Sequence, residues 1–66
     1  MQITVNGEVR NATAGQTVLD LIDSLGLKPD RVAVELDRTI VKKTLWNQTE
    51  LCDGSRLEIV QFVGGG

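Results

Sequence analysis

The chain has 66 residues, with seven basic side chains against nine acidic ones and a formal charge of −2 at pH 7. A chain of this length makes one small domain with a marginal core and little room for an enclosed active site. The acidic balance and the presence of only two aromatic residues, Trp46 and Phe62, argue against a nucleic-acid binder, which carries a basic stripe interleaved with aromatics. The same balance suits a basic protein partner.

No histidine is present, which excludes Ser-His-Asp and Cys-His catalysis and histidine-ligated metals. No glycine-rich phosphate loop precedes a helix. The one cysteine, Cys52, permits no internal disulfide, so a reducing cytoplasm is the expected compartment. No apolar run approaches the ~18 residues of a membrane span, and no signal peptide opens the chain. Cys52 stands beside Asp53 and reads as a small packing residue rather than a reactive thiol. Catalysis by this chain alone is therefore not expected.

Met1, Ile3 and Val5 alternate with Gln2 and Thr4, the period-2 pattern of a half-buried strand. Asn6-Gly7 follows, a dipeptide suited to a type I′ hairpin because both residues tolerate positive φ. A second strand over residues 8–12 should return antiparallel. Thr17 then reads as a helix N-cap, with Asp20 three residues on completing a capping box. Val18, Leu21, Ile22 and Leu25 fall at i, i+3, i+4 and i+7, so one stripe of the helix faces a core. Gly26 reads as the residue that ends the helix, and Pro29 forbids its resumption.

Beyond the helix the chain becomes extended again. Val32, Val34 and Leu36 alternate with Ala33 and Glu35 as a strand. Asp37-Arg38 is a turn into a short strand over residues 39–41. Lys42-Lys43 reads as a solvated loop, residues 44–46 as a short turn of helix, and Trp46 as satellite core. Asp53-Gly54 turns the chain into a last strand over residues 57–63.

Two hairpin-like halves joined by one amphipathic helix give an α+β fold, a mixed sheet with the helix across one face. The first and last strands read as apolar and should lie side by side in the middle. That is the β-grasp arrangement of ubiquitin. The helix stripe should pack on Ile3, Val5, Val34, Leu36, Leu57 and Ile59, within a domain of residues 1–63.

The last strand runs directly into Gly64-Gly65-Gly66. Three glycines there remove every side chain around the final carboxyl group and predict a flexible arm able to enter a narrow pocket. If Leu57 and Ile59 face the helix, period 2 puts Val60 and Phe62 on the open face of the sheet. Apolar residues on such a face suggest a partner-docking spot, with Val63 at the root of the arm.

The chain resembles the sulfur carrier of thiamin biosynthesis, the ThiS family, over essentially its full length. The likeness is carried by Met1-Gln2-Ile3 with Asn6-Gly7, by Ala14-Gly15-Gln16-Thr17-Val18, and by Val32-Ala33-Val34-Glu35-Leu36 with Ile40-Val41 and Trp46. It continues from Asp53-Gly54 through the strand to the terminal glycines, its most specific part. Asp37-Arg38 stands where Asn-Gly is frequent, and Ser55 replaces a common Asp.

The resemblance implies that the Gly66 carboxylate reacts, with Gly65 and Gly64 giving clearance and Phe62, Val60 and Val63 docking partners. It further implies an E1-like adenylyltransferase (ThiF-like) that uses ATP and Mg²⁺, a sulfur donor of cysteine-desulfurase type, and thiazole synthase (ThiG-like) as consumer. The chain itself would bind no cofactor or metal and would be a cosubstrate rather than an enzyme. A molybdopterin-synthase small subunit, a ubiquitin-like modifier that forms isopeptide bonds, and a TGS-like β-grasp binding module are the alternative readings.

Overall fold

The computed structural model of the chain describes residues 1–62. The expectations for Val63, Gly64, Gly65 and Gly66 lie outside the described residues. Five strands and one helix follow in chain order: β1 (Gln2–Val5), β2 (Glu8–Asn11), α1 (Val18–Ser24), β3 (Val32–Leu36), β4 (Thr39–Ile40) and β5 (Arg56–Gln61). Short 3₁₀ turns occupy Pro29–Arg31 and Lys43–Leu45.

The strands form one mixed sheet in the order β2-β1-β5-β3-β4. Its only parallel pair among the described strands is β1 with β5, where Thr4 faces Arg56 and Val5 faces Leu57. The predicted adjacency of first and last strands therefore holds, and this is the β-grasp order.

Both tight hairpins turn through positive φ. Asn6 (50°) and Gly7 (84°) join β1 to β2, as their dipeptide predicts. Asp37 (49°) and Arg38 (71°) join β3 to β4 in the same left-handed region, although Arg38 carries a Cβ that disfavours it. Asp37 has a second task that suits its side chain: its Oδ1 accepts from the Arg56 N–H at 3.0 Å, tying the turn to the start of β5.

The helix ends are resolved bond by bond. Thr17 and Asp20 form the predicted capping box: Asp20 N–H donates to Thr17 Oγ1 at 3.1 Å, and Thr17 N–H donates to Asp20 Oδ2 at 3.0 Å. The two remaining first-turn donors go to the segment between β4 and β5. Val18 N–H reaches Thr49 C=O at 2.9 Å and Leu19 N–H reaches Trp46 C=O at 3.2 Å. At the other end Gly26 adopts φ 71°, with Gly26 N–H on Asp23 C=O and Leu27 N–H on Ile22 C=O. That pair of bonds is a Schellman motif. Pro29 does more than forbid resumption of the helix, because it opens the 3₁₀ turn Pro29–Arg31, where its missing N–H is no loss.

Val18, Leu21 and Ile22 pack on Ile3, Val5, Val32, Val34 and Leu57 in one core cluster. Leu25, Leu36 and Ile59 are only partly buried against it, because they lie toward its margin. Two expectations need correction. Trp46 is not a satellite: it is 2% exposed within the main cluster, its indole N–H donating to Val41 C=O at 2.8 Å. Cys52 does not pack; it is exposed, while its neighbour Leu51 fills the core.

Several boundaries also move. The second strand ends at Asn11 rather than at residue 12, and the short fourth strand ends at Ile40. The last strand starts one residue early, at Arg56, and ends at Gln61. The short helical turn falls on Lys43–Leu45, with Trp46 as its C-terminal cap.

Candidate functional site

The described part of the site is the end of β5 and the sheet face opposite the helix. Period 2 along β5 turns Leu57 into the core and leaves Val60 and Phe62 outward, 58% and 49% exposed. The helix covers only one face, so these two predicted docking residues stand uncovered. Ile40 on β4, 72% exposed, joins them on the same face. Its position follows from register, since Ile40 faces Glu35 and Ala33 faces Val60. The sequence did not single out Ile40, because a two-residue edge strand has no periodicity to reveal which side it presents.

β5 is held on both sides up to its last residues. On one side it pairs with β3 from Leu36↔Leu57 to Val32↔Gln61, and Phe62 N–H then donates to Arg31 C=O at 2.7 Å. On the other side β1 turns away after Val5, and the Asn6 side chain takes over its place. Asn6 Nδ2 donates to Ile59 C=O at 3.1 Å, while Ile59 N–H donates to Asn6 Oδ1 at 2.7 Å. A side-chain amide thus adds one rung to the parallel ladder where no backbone remains to form it. The sequence marks Asn6 only as a turn residue; the carboxamide's second role depends on β5 arriving beside it.

Asn6→Gly keeps the left-handed turn without strain and removes both side-chain bonds. It is expected to lower stability by about 1–2 kcal/mol and to speed amide exchange at Ile59 more than at Val5. Equal exchange at Ile59 in the two proteins would show that the clamp holds nothing.

At its start, β5 is fastened by the turn before it. Gln2 N–H donates to Asp53 Oδ1, Gly54 N–H to Gln2 C=O, and Thr4 N–H to Ser55 C=O. Ser55, 5% exposed, uses its hydroxyl to accept from Cys52 N–H at 2.9 Å. A hydroxyl therefore serves this buried position without introducing a charge there. Among the described residues, no group of three or more His, Cys, Asp or Glu is placed to hold a metal ion. Among them, too, no helix is long and apolar enough to cross a membrane.

The profile of the ThiS family matches residues 3–66, nearly the whole sequence. The chain belongs to the ThiS family. This ThiS-family chain is 32% identical to the sulfur carrier protein ThiS of Escherichia coli, over 100% of both chains. It is also 46% identical to a thiazole synthase of Paramagnetospirillum magneticum, over 100% of this chain and 20% of that protein. The chain thus spans about a fifth of the length of that relative. Among solved structures, the fold is similar to the crystal structure of the thiamine biosynthesis protein ThiS from Geobacter metallireducens. The TM-score is 0.82 and the identity 29%, with 100% of both chains covered.

Proposed function

We propose that this chain is a sulfur carrier of thiamin biosynthesis whose Gly66 carboxylate is the reacting group. The observation that carries this reading is the family match, which runs through all three terminal glycines. A free α-carboxyl group has a pKa near ~3.5 and is ionised at neutral pH. An anionic carboxylate is a poor electrophile, so it must be activated before sulfur can be added.

The activation assigned here is adenylation by an E1-like adenylyltransferase. A Gly66 carboxylate oxygen attacks the α-phosphorus of ATP, and pyrophosphate leaves with its Mg²⁺. The terminal sulfur of a persulfide, supplied by a donor of cysteine-desulfurase type, then attacks the acyl carbon and AMP departs. A thiol cleaves the resulting S–S bond, is itself oxidised to a disulfide, and leaves Gly66 as a thiocarboxylate. In this scheme ATP, Mg²⁺ and catalysis belong to the partners. The chain is a cosubstrate working in the cytoplasm.

Gly65 and Gly64 give clearance, since a Cβ at either position would meet the walls of a channel that fits bare backbone. Extended backbone there can also be gripped strand-fashion by a partner. Val60 and Phe62, with Val63 beyond them, dock the partner. Thiazole synthase is proposed as the consumer of the sulfur. A protein of that name contains a segment 46% identical to the whole of this chain, which supports a working relationship between the two.

Incubation with the adenylyltransferase, ATP and a persulfide donor, followed by intact-mass measurement, tests the reading. A sulfur-for-oxygen mass gain is expected. Covalent attachment to lysines of other proteins would instead identify a modifier, and an unchanged mass a binding module. The docking role has its own check. Phe62→Ser should weaken affinity for the adenylyltransferase about tenfold or more while lowering stability by only ~1 kcal/mol, because half of this ring is already exposed. A large fall in melting temperature would assign Phe62 to the core.

A further inference from the structure

On the open face of the sheet, β3 and β5 place two carboxylates directly opposite each other. Glu35 and Glu58 are cross-strand partners, both exposed, and neither makes an ion pair among the described residues. Side chains opposed in this way stand about 4.5–5.5 Å apart at Cβ, and like charges there are destabilising. Two arginines of the same chain, Arg38 and Arg56, line the cleft on one side of this pair without closing on either carboxylate. On its other side the pair borders a shallow apolar depression formed with Ala33, Ile40 and Val60. Glu35 and Glu58 are the border that the two hollows share.

We propose that this face docks a protein surface that brings an apolar side chain onto Val60 and Ile40 and a lysine or arginine between Glu35 and Glu58. The inference rests on the carrier reading and names the chemistry of its partner. Charge complementarity selects the occupant. A cation set between two opposed carboxylates offsets the repulsion that like charges at such a position carry, and does so beside apolar area that the same contact covers. A second copy of the chain would bring the arginines of each cleft to the seam along with its carboxylates, so that occupant is an outcome the test separates. The net charge of −2 acts in the same direction at long range, drawing a basic surface toward the chain.

The test uses the full chain and the purified E1-like adenylyltransferase, with affinity measured without ATP at about 20 mM and about 500 mM salt. The double variant Glu35→Gln with Glu58→Gln is expected to bind about tenfold more weakly at low salt and to lose most of its salt dependence. Its melting temperature should equal or exceed that of the wild type, since the repulsion is gone. Glu8→Gln, an exposed charge on β2 away from the face, should leave affinity unchanged.

Unchanged affinity and salt dependence in the double variant would overturn the proposal, as would an equal loss in Glu8→Gln. A lower melting temperature in the double variant would also overturn it, by showing that the pair stabilises the fold. So would a wild-type dimer in sedimentation equilibrium that Ile40→Ser dissociates. If the wild type acquires a thiocarboxylate while the double variant binds normally, this inference fails and the carrier reading stands. If the wild type neither binds nor is loaded, both fail.

Discussion

Gly65→Val is expected to fold with an unchanged melting temperature and to lose adenylation by a factor of about 100 or more. Residue 65 lies beyond the described residues 1–62, and the expectation follows from the proposed chemistry at Gly66. The loss comes from geometry at the partner. In the proposed activation, in-line attack by the Gly66 carboxylate on ATP would require reacting atoms about 3–3.5 Å apart, and a misplacement near 1 Å costs about 10²-fold. A β-branched side chain one residue from the reacting carbon widens the arm on both sides and stiffens its backbone. ATP–pyrophosphate exchange, run with the adenylyltransferase and each variant, measures the effect. Gly65→Ala should fall between wild type and valine. Exchange by Gly65→Val at the wild-type rate would remove the clearance argument.

Trp46→Ala should have the largest effect on stability. Trp46 is the largest fully buried side chain of the core, and its indole N–H is bonded to Val41 C=O. Its own carbonyl also accepts from Leu19 N–H in the first turn of α1, so the residue ties the segment after β4 to the helix start. Truncating a buried Trp to Ala costs about 3–5 kcal/mol. A 66-residue domain has about 3–10 kcal/mol in all, so most of its stability is at risk. Thermal unfolding is expected to lose its cooperative transition or to shift down by ~15 °C or more. Trp46→Phe, which keeps most of the apolar volume and loses the hydrogen bond, should lose much less. A shift of only a few degrees for Trp46→Ala would mean that the surrounding residues collapse into the space.

Under the proposed function, both variants bear on the same division of labour, between a body that holds its shape and an end that fits a partner. The link between them is β5. Its Leu57 lies in the core, its Ile59 is clamped by Asn6, and its Val60 is bare. Within four residues the strand passes from structural anchor to presented surface.

Much of this was legible in the residues because it is local. Alternation at Ile3 and Val5, the i, i+3, i+4 spacing of Val18, Leu21 and Ile22, the Thr17–Asp20 box and Gly26 each act within a few positions. They set the elements and their inner faces before any long-range contact forms. The outward placement of Val60 and Phe62 followed from the same period. What failed concerns residues whose surroundings come from elsewhere in the chain. Trp46 and Leu51 lie in an irregular segment with no period to read, and only the closing of that segment over α1 makes them core. Cys52, one position along, is exposed for the same reason.

The sequence by itself therefore determined the strands, the helix with both of its ends and the β-grasp order, because short-range sterics and periodic burial decide these. Tertiary structure alone decided that Trp46 completes the core, that Asn6 replaces a missing rung beside Ile59, and that Glu35 meets Glu58. Each of those depends on the register between segments about 20 or more residues apart, or on where an irregular loop comes to rest. Register is fixed by the packed core as a whole, and no local pattern encodes it.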